Sequence, residues 1–363
     1  MKIVLATSMS GLGGTETASL RLGRLLSARG HDVLLASSDG PLVAQARAAG
    51  MRWLPLDFYG GAAGYAKAAL SFARLLRRER PALVHCQMAR IVPACALAAK
   101  AASPRTAVFY HARGLQAATY PKIARLFKHL GVYIIANCRH EQQKLIRHGF
   151  PAARTAYTYN ALPAVPAAPQ KTPRSHIALG TLSRLDKTRA VHLTLDAFSL
   201  LCRRGLDVRL HIAGSGEERN ALEAQAAALG LSERVRFLGA VRDLDAYFAA
   251  TDILLNTPDL QGDHGAGVGN NILEAGLYAT AVASYDAAGI CEMVENGTTG
   301  FCTPVRDQTA FAAAVEQLCA DPALRRRCSL ALRERVLQLC GDDEIYRATM
   351  AAYALAGKTD EAV

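Results

Sequence analysis

The sequence has little of what marks a metal, redox, secreted or membrane-spanning protein. Its nine cysteines are scattered, with no Cys-x-x-Cys pair and no Cys/His spacing suited to zinc, so we expect reduced structural thiols and no metal. No run approaches the roughly 18 consecutive apolar residues that a membrane-spanning helix needs. The apolar run at residues 3–6 is too short for a signal-peptide core. We therefore expect a cytoplasmic protein, either soluble or peripheral on the inner face of the membrane.

Acidic residues are scarce in the first half. Residues 1–165 hold 22 Lys/Arg against 6 Asp/Glu, whereas the remainder holds 20 against 25. Basic and apolar residues are mixed in residues 74–80 and 122–129. This pattern suits a helix lying on an anionic membrane, and it suits an ordinary solvated helix face equally well, so both interpretations stay open. No nucleic-acid motif is present, and we expect no nucleic-acid partner.

What the sequence has throughout is an alternation of strand-length apolar runs with helical patterns, which predicts parallel βαβ units. Closely spaced prolines at residues 163–174 predict a linker. The predicted fold class is α/β, with two doubly wound Rossmann-like domains facing a cleft: 1–165 on the acceptor side, 166–345 on the donor side, and a helix and tail, 346–363, packing back on the first domain. Predicted strands are 3–6, 32–36, 83–85, 105–110, 132–136, 177–180, 208–213, 235–238, 253–256 and 281–284; predicted helices include 15–29, 191–203, 218–229 and 271–278.

Three glycine-rich or basic segments follow predicted strands, where ligands of such sheets bind. Gly14 opens a helix after a glycine turn, which suits a phosphate but is equally typical of a plain tight turn. Arg184 and Arg189 place two guanidinium groups five residues apart. Such a pair suits a diphosphate, but it is also typical of an ordinary solvated loop. Glu274 lies one turn into a helix after three glycines, where it suits a ribose diol or simply the helix dipole.

Taken in order, these segments resemble glycosyltransferase family 4, the retaining group with the GT-B fold, over nearly the whole chain. The segments that carry the resemblance are Gly13-Gly14-Thr15-Glu16, Phe109-Tyr110-His111-Ala112-Arg113-Gly114, Asn160-Ala161, Ser183-Arg184-Leu185 with Arg189-Ala190, Gly214-Ser215-Gly216-Glu217, Arg236-Phe237-Leu238-Gly239, Ala266 to Ala275, and Ala288-Gly289-Ile290-Cys291-Glu292.

The resemblance implies roles for the matching positions. Arg184 and Arg189 would hold the diphosphate of a UDP- or GDP-linked sugar, Glu274 its ribose, and His111 would lie near the transferred sugar. No metal or further cofactor is implied, because cationic side chains and helix N-termini stabilise the leaving group. The remaining implied donor-binding positions are Gly14, Gly267, Val268, Gly269 and Asn270.

One position departs from the family pattern. Ala266 stands eight residues before Glu274, where the family signature has its first glutamate. The chain is either a naturally altered member or an engineered Glu→Ala variant, and the family-like flanks favour engineering. We expect a transferase acting on a glycan or lipid-linked acceptor in bacterial-type surface polysaccharide or lipopolysaccharide synthesis. The alternative is a nucleotide-sugar-binding protein with little transfer activity; a GT-B-shaped epimerase fits the arginine pair poorly.

Overall fold

The computed structural model describes residues 1–7, 13–58, 61–115, 117–163, 171–260 and 267–358. These residues form two compact α/β units. The first contains the described residues up to Pro163, Gly267, and those from Cys340 onward. The second contains the other described residues between 171 and 339. Both units consist of a parallel sheet with helices on its two faces, as the alternating sequence pattern predicts.

The first unit has seven strands, and the central ones are buried because helices cover both faces of the sheet. The strands are β1 (Lys2–Ala6), β2 (Asp32–Ser37), β3 (Arg52–Pro55), β4 (Leu83–Cys86), β5 (Ala107–Ala112), β6 (Tyr133–Ala136) and β7 (Thr155–Tyr157). They pair in parallel in the order β3-β2-β1-β4-β5-β6-β7, so the order reverses between β1 and β4. Such a reversal opens the crevice in which doubly wound sheets bind ligands.

Six helices of the first unit lie between these strands. They are α1 (Gly14–Ala28), α2 (Pro41–Ala48), α3 (Gly61–Glu79), α4 (Val92–Ala102), α5 (Tyr120–Leu130) and α6 (Arg139–Arg147). Apolar residues of α3, α4 and α5, including Phe72 and Phe127, form one core against the sheet. Leu22 and Leu26 of α1 pack in the core on the other face.

The second unit repeats this construction with six strands. They are β8 (Ile177–Leu182), β9 (Val208–Ala213), β10 (Val235–Gly239), β11 (Ile253–Asn256), β12 (Ala281–Tyr285) and β13 (Phe301–Thr303), paired in parallel in the order β10-β9-β8-β11-β12-β13. The helices are α7 (Val191–Arg203), α8 (Arg219–Ala228), α9 (Leu244–Ala249), α10 (Asn270–Leu277), α11 (Gln308–Ala320) and α12 (Pro322–Cys340).

After α12 the chain belongs to the first unit again. Helices α13 (Asp342–Tyr353) and α14 (Leu355–Lys358) follow. Ala352 and Tyr353 are buried in the core that contains Leu22, Leu26 and Phe109. The ring of Tyr353 lies edge-on to Phe109, with 5.2 Å between centroids. The last helices thus complete a core whose other members lie in the first half of the chain.

The structure confirms the α/β fold class and both doubly wound sheets, and it corrects several local predictions. The strand predicted at 105–110 is β5, which begins and ends two residues later, so that His111 lies within a strand and not in a loop. Strand β13, which begins at Phe301, was not among the predicted strands. The edge strand β3 and the short strand β7 were missed. In the proline-rich segment, residues 164–170 lie outside the described residues. Among those that are described, no helix is both long and apolar enough to span a membrane.

Candidate functional site

The loop after β8 presents two arginines in different ways. Asp186 organises the loop, because its Oδ1 accepts hydrogen bonds from the backbone N of Thr188 (3.1 Å) and of Arg189 (3.2 Å). Arg184 is exposed over 70% of its side chain and pairs with Asp186 at 3.1 Å. Arg189 is largely enclosed, and burial lowers the pKa of its guanidinium. Arg189 is therefore the less exposed of the two cations.

The glycine turn after β9 holds this loop in place. Gly214 has φ +149°, and a Cβ at this residue would lie 1.8 Å from the carbonyl oxygen of Ser183. A Cβ on Gly216 would lie 2.2 Å from the carbonyl oxygen of Leu185. The Leu185 N–H donates to the Ser215 carbonyl oxygen at 2.9 Å. Only residues without a side chain allow the two backbones to come this close. The glycines therefore position the arginine loop.

Arg189 lines a shallow indentation at the carboxyl edge of the sheet. Thr181, Asn256, Thr257 and Asn271 also line it. Asn271 Nδ2 donates to Asn256 Oδ1 at 3.0 Å, so the end of β11 is tied to the first turn of α10. The sequence analysis did not identify Asn256 or Thr257. The signal that could have found them is a polar residue at the carboxyl end of an otherwise apolar strand.

The segment leading into α10 carries four of the expected donor-binding positions. Gly267 has φ +59°, in the left-handed region, and Val268 is buried. Gly269 precedes the helix in an extended conformation, and as a glycine it offers no side chain to cap the first turn. Asn270 begins the helix, and Glu274, one turn later, is only 7% exposed. The predicted position Ala266 lies outside the described residues.

In the first unit, His111 lies near the carboxyl end of β5. Its ring is buried and stacks on His85 with 5.2 Å between centroids. Neither ring nitrogen of His111 has a hydrogen-bond partner among the described residues. Burial, and after it the charge of Arg113, lowers the pKa of His111 well below its ordinary value, so the imidazole is neutral. His85 in turn shares a 2.8 Å hydrogen bond between its Nδ1 and the Tyr353 hydroxyl.

The structure thus groups the expected residues in two places. Gly14 begins α1 in the first unit, where a Cβ would meet nothing within 4 Å. His111 belongs to the same unit. Arg184, Arg189 and Glu274 belong to the second unit. Each group follows the carboxyl ends of parallel strands, the position at which doubly wound sheets bind ligands.

Two family models match consecutive stretches of the chain. The model described as Glycosyltransferase Family 4 matches residues 12–164, and the one described as Glycosyl transferases group 1 matches residues 168–335. The chain belongs to glycosyltransferase family 4. The two matched stretches include nearly all of the sheet strands of both units. The similarity of this family-4 member to its family therefore extends over both units and is not limited to a single motif.

Curated relatives match the family-4 member over parts of their length. It is 32% identical over 164 residues to the lipopolysaccharide core biosynthesis glycosyltransferase LpsE of Rhizobium meliloti, which is 45% of this chain and 46% of the relative. It is 29% identical over 219 residues to the glycogen synthase of Mycobacterium tuberculosis, 60% of this chain and 49% of the relative. The chain therefore spans about half the length of these relatives or less.

Solved structures match the fold over almost the whole chain. Anabaena Alr3699/HepE, solved in complex with UDP and glucose, matches with a TM-score of 0.83 at 20% identity, covering 98% of this chain and 99% of that one. A glycosyltransferase from Rickettsia africae matches with a TM-score of 0.85 at 15% identity and covers 98% of both chains. At these identities the likeness establishes a shared GT-B fold.

Proposed function

We propose that this family-4 member is a retaining glycosyltransferase that moves a sugar from a UDP- or GDP-linked donor to a glycan or lipid-linked acceptor. The observation that carries the proposal is the shared indentation of the second unit, where Arg189 and Asn271 at the start of α10 line one surface. A cation and a helix N-terminus meeting there suit a diphosphate, which both attract. The family of the chain supports the same reaction.

In this proposal each described site residue has one task. Arg189 and Arg184 neutralise the donor diphosphate, and Glu274 accepts hydrogen bonds from the ribose diol. Backbone groups from Gly267 to Asn270 contact the sugar or its phosphate. Gly14 contributes its backbone N–H to the diphosphate. The neutral imidazole of His111 is a hydrogen-bonding group for the sugar.

The reaction breaks the bond between the sugar's anomeric carbon and the diphosphate oxygen and forms a bond from that carbon to the acceptor hydroxyl oxygen. The acceptor proton passes to an oxygen of the departing diphosphate on the same face, which retains the anomeric configuration. Negative charge grows on the diphosphate as it leaves, and fixed cations stabilise that charge more in the transition state than in the ground state. We propose that this electrostatic stabilisation needs no metal, so that EDTA leaves the rate unchanged.

The test of the donor site is a calorimetric titration of the full chain with UDP, GDP, ADP and their sugar conjugates. We expect micromolar binding of one nucleotide, weakened at least about tenfold by Arg189→Gln or Glu274→Gln, because each change removes a charge-assisted hydrogen bond. Arg242→Gln is the matched control, since Arg242 is an exposed arginine of the same unit. Absence of binding by every nucleotide would refute the proposed donor site.

Replacing Ala266 tests whether the chain transfers a sugar or only binds the nucleotide sugar. We expect Ala266→Glu to raise the rate at which free nucleoside diphosphate is released when donor and acceptor are both present. The affinity for nucleotide should stay within about twofold. A chain that binds nucleotide but shows no turnover with either residue at this position would favour the alternative of a nucleotide-sugar-binding protein. The name of the lipopolysaccharide relative supports bacterial surface polysaccharide as the acceptor class to be screened first.

We also propose that the first unit binds the inner face of an anionic membrane. Helices α3, α4 and α5 pack on one face of its sheet and carry eight Lys/Arg side chains against one carboxylate, Glu79. Leu70, Leu97 and Leu126, one on each helix, are exposed by 62%, 58% and 43%. Each basic residue near such a surface contributes about 1 kcal/mol of attraction, and the leucines add apolar burial.

Liposome sedimentation tests the membrane proposal. We expect binding to vesicles rich in anionic lipid, little binding to neutral vesicles, and release as salt is raised. The double variant Leu97→Ser with Leu126→Ser should weaken binding, whereas Leu330→Ser, on α12 of the second unit and 48% exposed, should not. Equal binding to neutral and anionic vesicles would contradict the proposal.

A further inference from the structure

Arg113 lies just beyond β5, two residues after His111, at the carboxyl edge of the first unit's sheet. Its Nη1 donates to Asn160 Oδ1 at 2.6 Å, and its Nη2 donates to Gln87 Oε1 at 3.1 Å. Gln87 follows β4 and Asn160 follows β7, so the guanidinium is held between loops of separate strands. Both acceptors are neutral amide oxygens.

Within the part of the chain that the structure describes, no carboxylate pairs with Arg113, and Glu16 of α1 exerts only a weaker, longer-range attraction. Its Nε atom is buried and has no hydrogen-bond partner among those residues. A guanidinium has five N–H donors, and two of them are used here. Burial lowers the pKa of Arg113 to about 10, so it is still a cation at neutral pH.

A half-buried cation without an anion among the described residues is costly, and a ligand can supply the missing charge. The two amides fix the plane of the guanidinium, which leaves its remaining donors aimed in a set direction. A planar fork of this kind matches the oxygens of a phosphoryl group, which can accept two parallel hydrogen bonds. The adjacent ring of His111 adds polar atoms that also have no partner among the described residues.

We propose that Arg113 binds a phosphoryl group of the acceptor, which makes the acceptor a phosphorylated glycan or a phosphate-bearing lipid-linked sugar. This inference rests on the proposed transfer reaction, in which the donor diphosphate already has Arg184 and Arg189 in the second unit. Gln87 and Asn160 are then positioning residues, since they orient the guanidinium without contacting the substrate.

The experiment titrates the full chain with inorganic phosphate by calorimetry at constant ionic strength, alone and with saturating nucleotide. We expect saturable phosphate binding that persists when nucleotide is present, and a loss of at least about tenfold in affinity in Arg113→Gln. The control Arg47→Gln removes the same charge from an exposed arginine of α2 that stacks on Trp53. It should leave phosphate affinity within about twofold.

Several outcomes would overturn the inference. They are the absence of saturable phosphate binding to the wild-type chain, an equal loss in Arg47→Gln, and complete displacement of phosphate by nucleotide together with weakened nucleotide binding in Arg113→Gln. The last result would assign Arg113 to the donor diphosphate instead. If Arg113→Gln does not fold, Arg113→Lys replaces it, with a loss of at least about threefold expected because the fork is gone. Phosphate binding without any nucleotide binding would refute the proposed donor site and leave the anion site standing.

Discussion

Replacing Gly214 with alanine should damage the second unit far more than a glycine replacement normally does. The new Cβ would lie 1.8 Å from the Ser183 carbonyl oxygen, whereas real Cβ atoms stay beyond 3.0 Å of such atoms, so the backbones must separate by about 1.2 Å. The φ of +149° adds strain of about 1–3 kcal/mol for any residue with a side chain. Together with overpacking of about 1–3 kcal/mol, we expect a loss of about 2–6 kcal/mol in the free energy of unfolding.

The matched control is Gly205→Ala, because Gly205 also has positive φ, +83°, but nothing lies within 4 Å of its Cβ position. It should cost only about 1 kcal/mol of left-handed strain. Urea denaturation followed by circular dichroism measures both variants. Nucleotide titration then tests the position of the arginine loop. Moving Ser183 displaces Arg189 and should weaken nucleotide binding at least about tenfold. If Gly214→Ala lies within 1 kcal/mol of the control and binds nucleotide normally, the steric account of the turn is wrong.

Three further changes have defined outcomes. Lys171→Met should lower the free energy of unfolding by about 2–4 kcal/mol, because Lys171 Nζ donates to two backbone carbonyl oxygens and one buried hydroxyl that would lose their partner. Burial raises the pKa of Glu79, but hydrogen bonds from three basic side chains outweigh it and lower that pKa from 4.5 to about 2. The folded state therefore binds fewer protons than the unfolded state between these values, so stability falls as pH drops from 4.5 to 2, and Glu79→Gln should flatten that part of the profile. Tyr353→Phe should cost about 1–2 kcal/mol, since buried His85 loses its hydrogen-bond partner.

Two of these changes have a control on the same chain, and the third has a defined contradicting result. Lys187→Met alters an exposed lysine of the second unit and should leave the denaturation midpoint unchanged. Tyr346→Phe removes a similar hydroxyl-to-histidine contact, with His31 at 3.0 Å, but one that is only partly buried, so water can replace it and the cost should be smaller. A Glu79→Gln profile that still falls as steeply as the wild type between pH 4.5 and 2 would assign the acid sensitivity to other carboxylates.

The alternation of buried strands and helices was enough to predict the fold class, because central parallel strands are covered on both faces and read as continuous apolar runs. The edge strands β3 and β13 gave no such signal. Strand β3 contains Arg52 and ends at Pro55, and β13 has three residues after Gly300 at φ +154°. Both exist because a neighbouring strand offers hydrogen bonds, and that information lies far away in the sequence.

Some features of the candidate site could likewise be predicted from the sequence, and others could not. Arg189 and Glu274 could be assigned from spacing and resemblance, since charged residues after strands are visible in the sequence. The hydrogen bond of Asn271 to Asn256 and those of Arg113 to neutral amides could not be, because both depend on which loops meet at a sheet edge. The glycine turn at Gly214 was matched to the family as a motif, but only the 1.8 Å approach explains why a side chain is not tolerated there.

The return of the chain to the first unit after α12 affects how the protein can be synthesised. When the first 163 residues have left the ribosome, the core that will receive Ala352 and Tyr353 is still open. Nascent chains of intermediate length therefore expose apolar surface around Phe109 until the last helices emerge, a period in which chaperone binding or aggregation competes with folding. A fragment of residues 1–163 expressed alone should inherit that exposed surface permanently, and adding residues 340–358 as a separate peptide should restore its solubility.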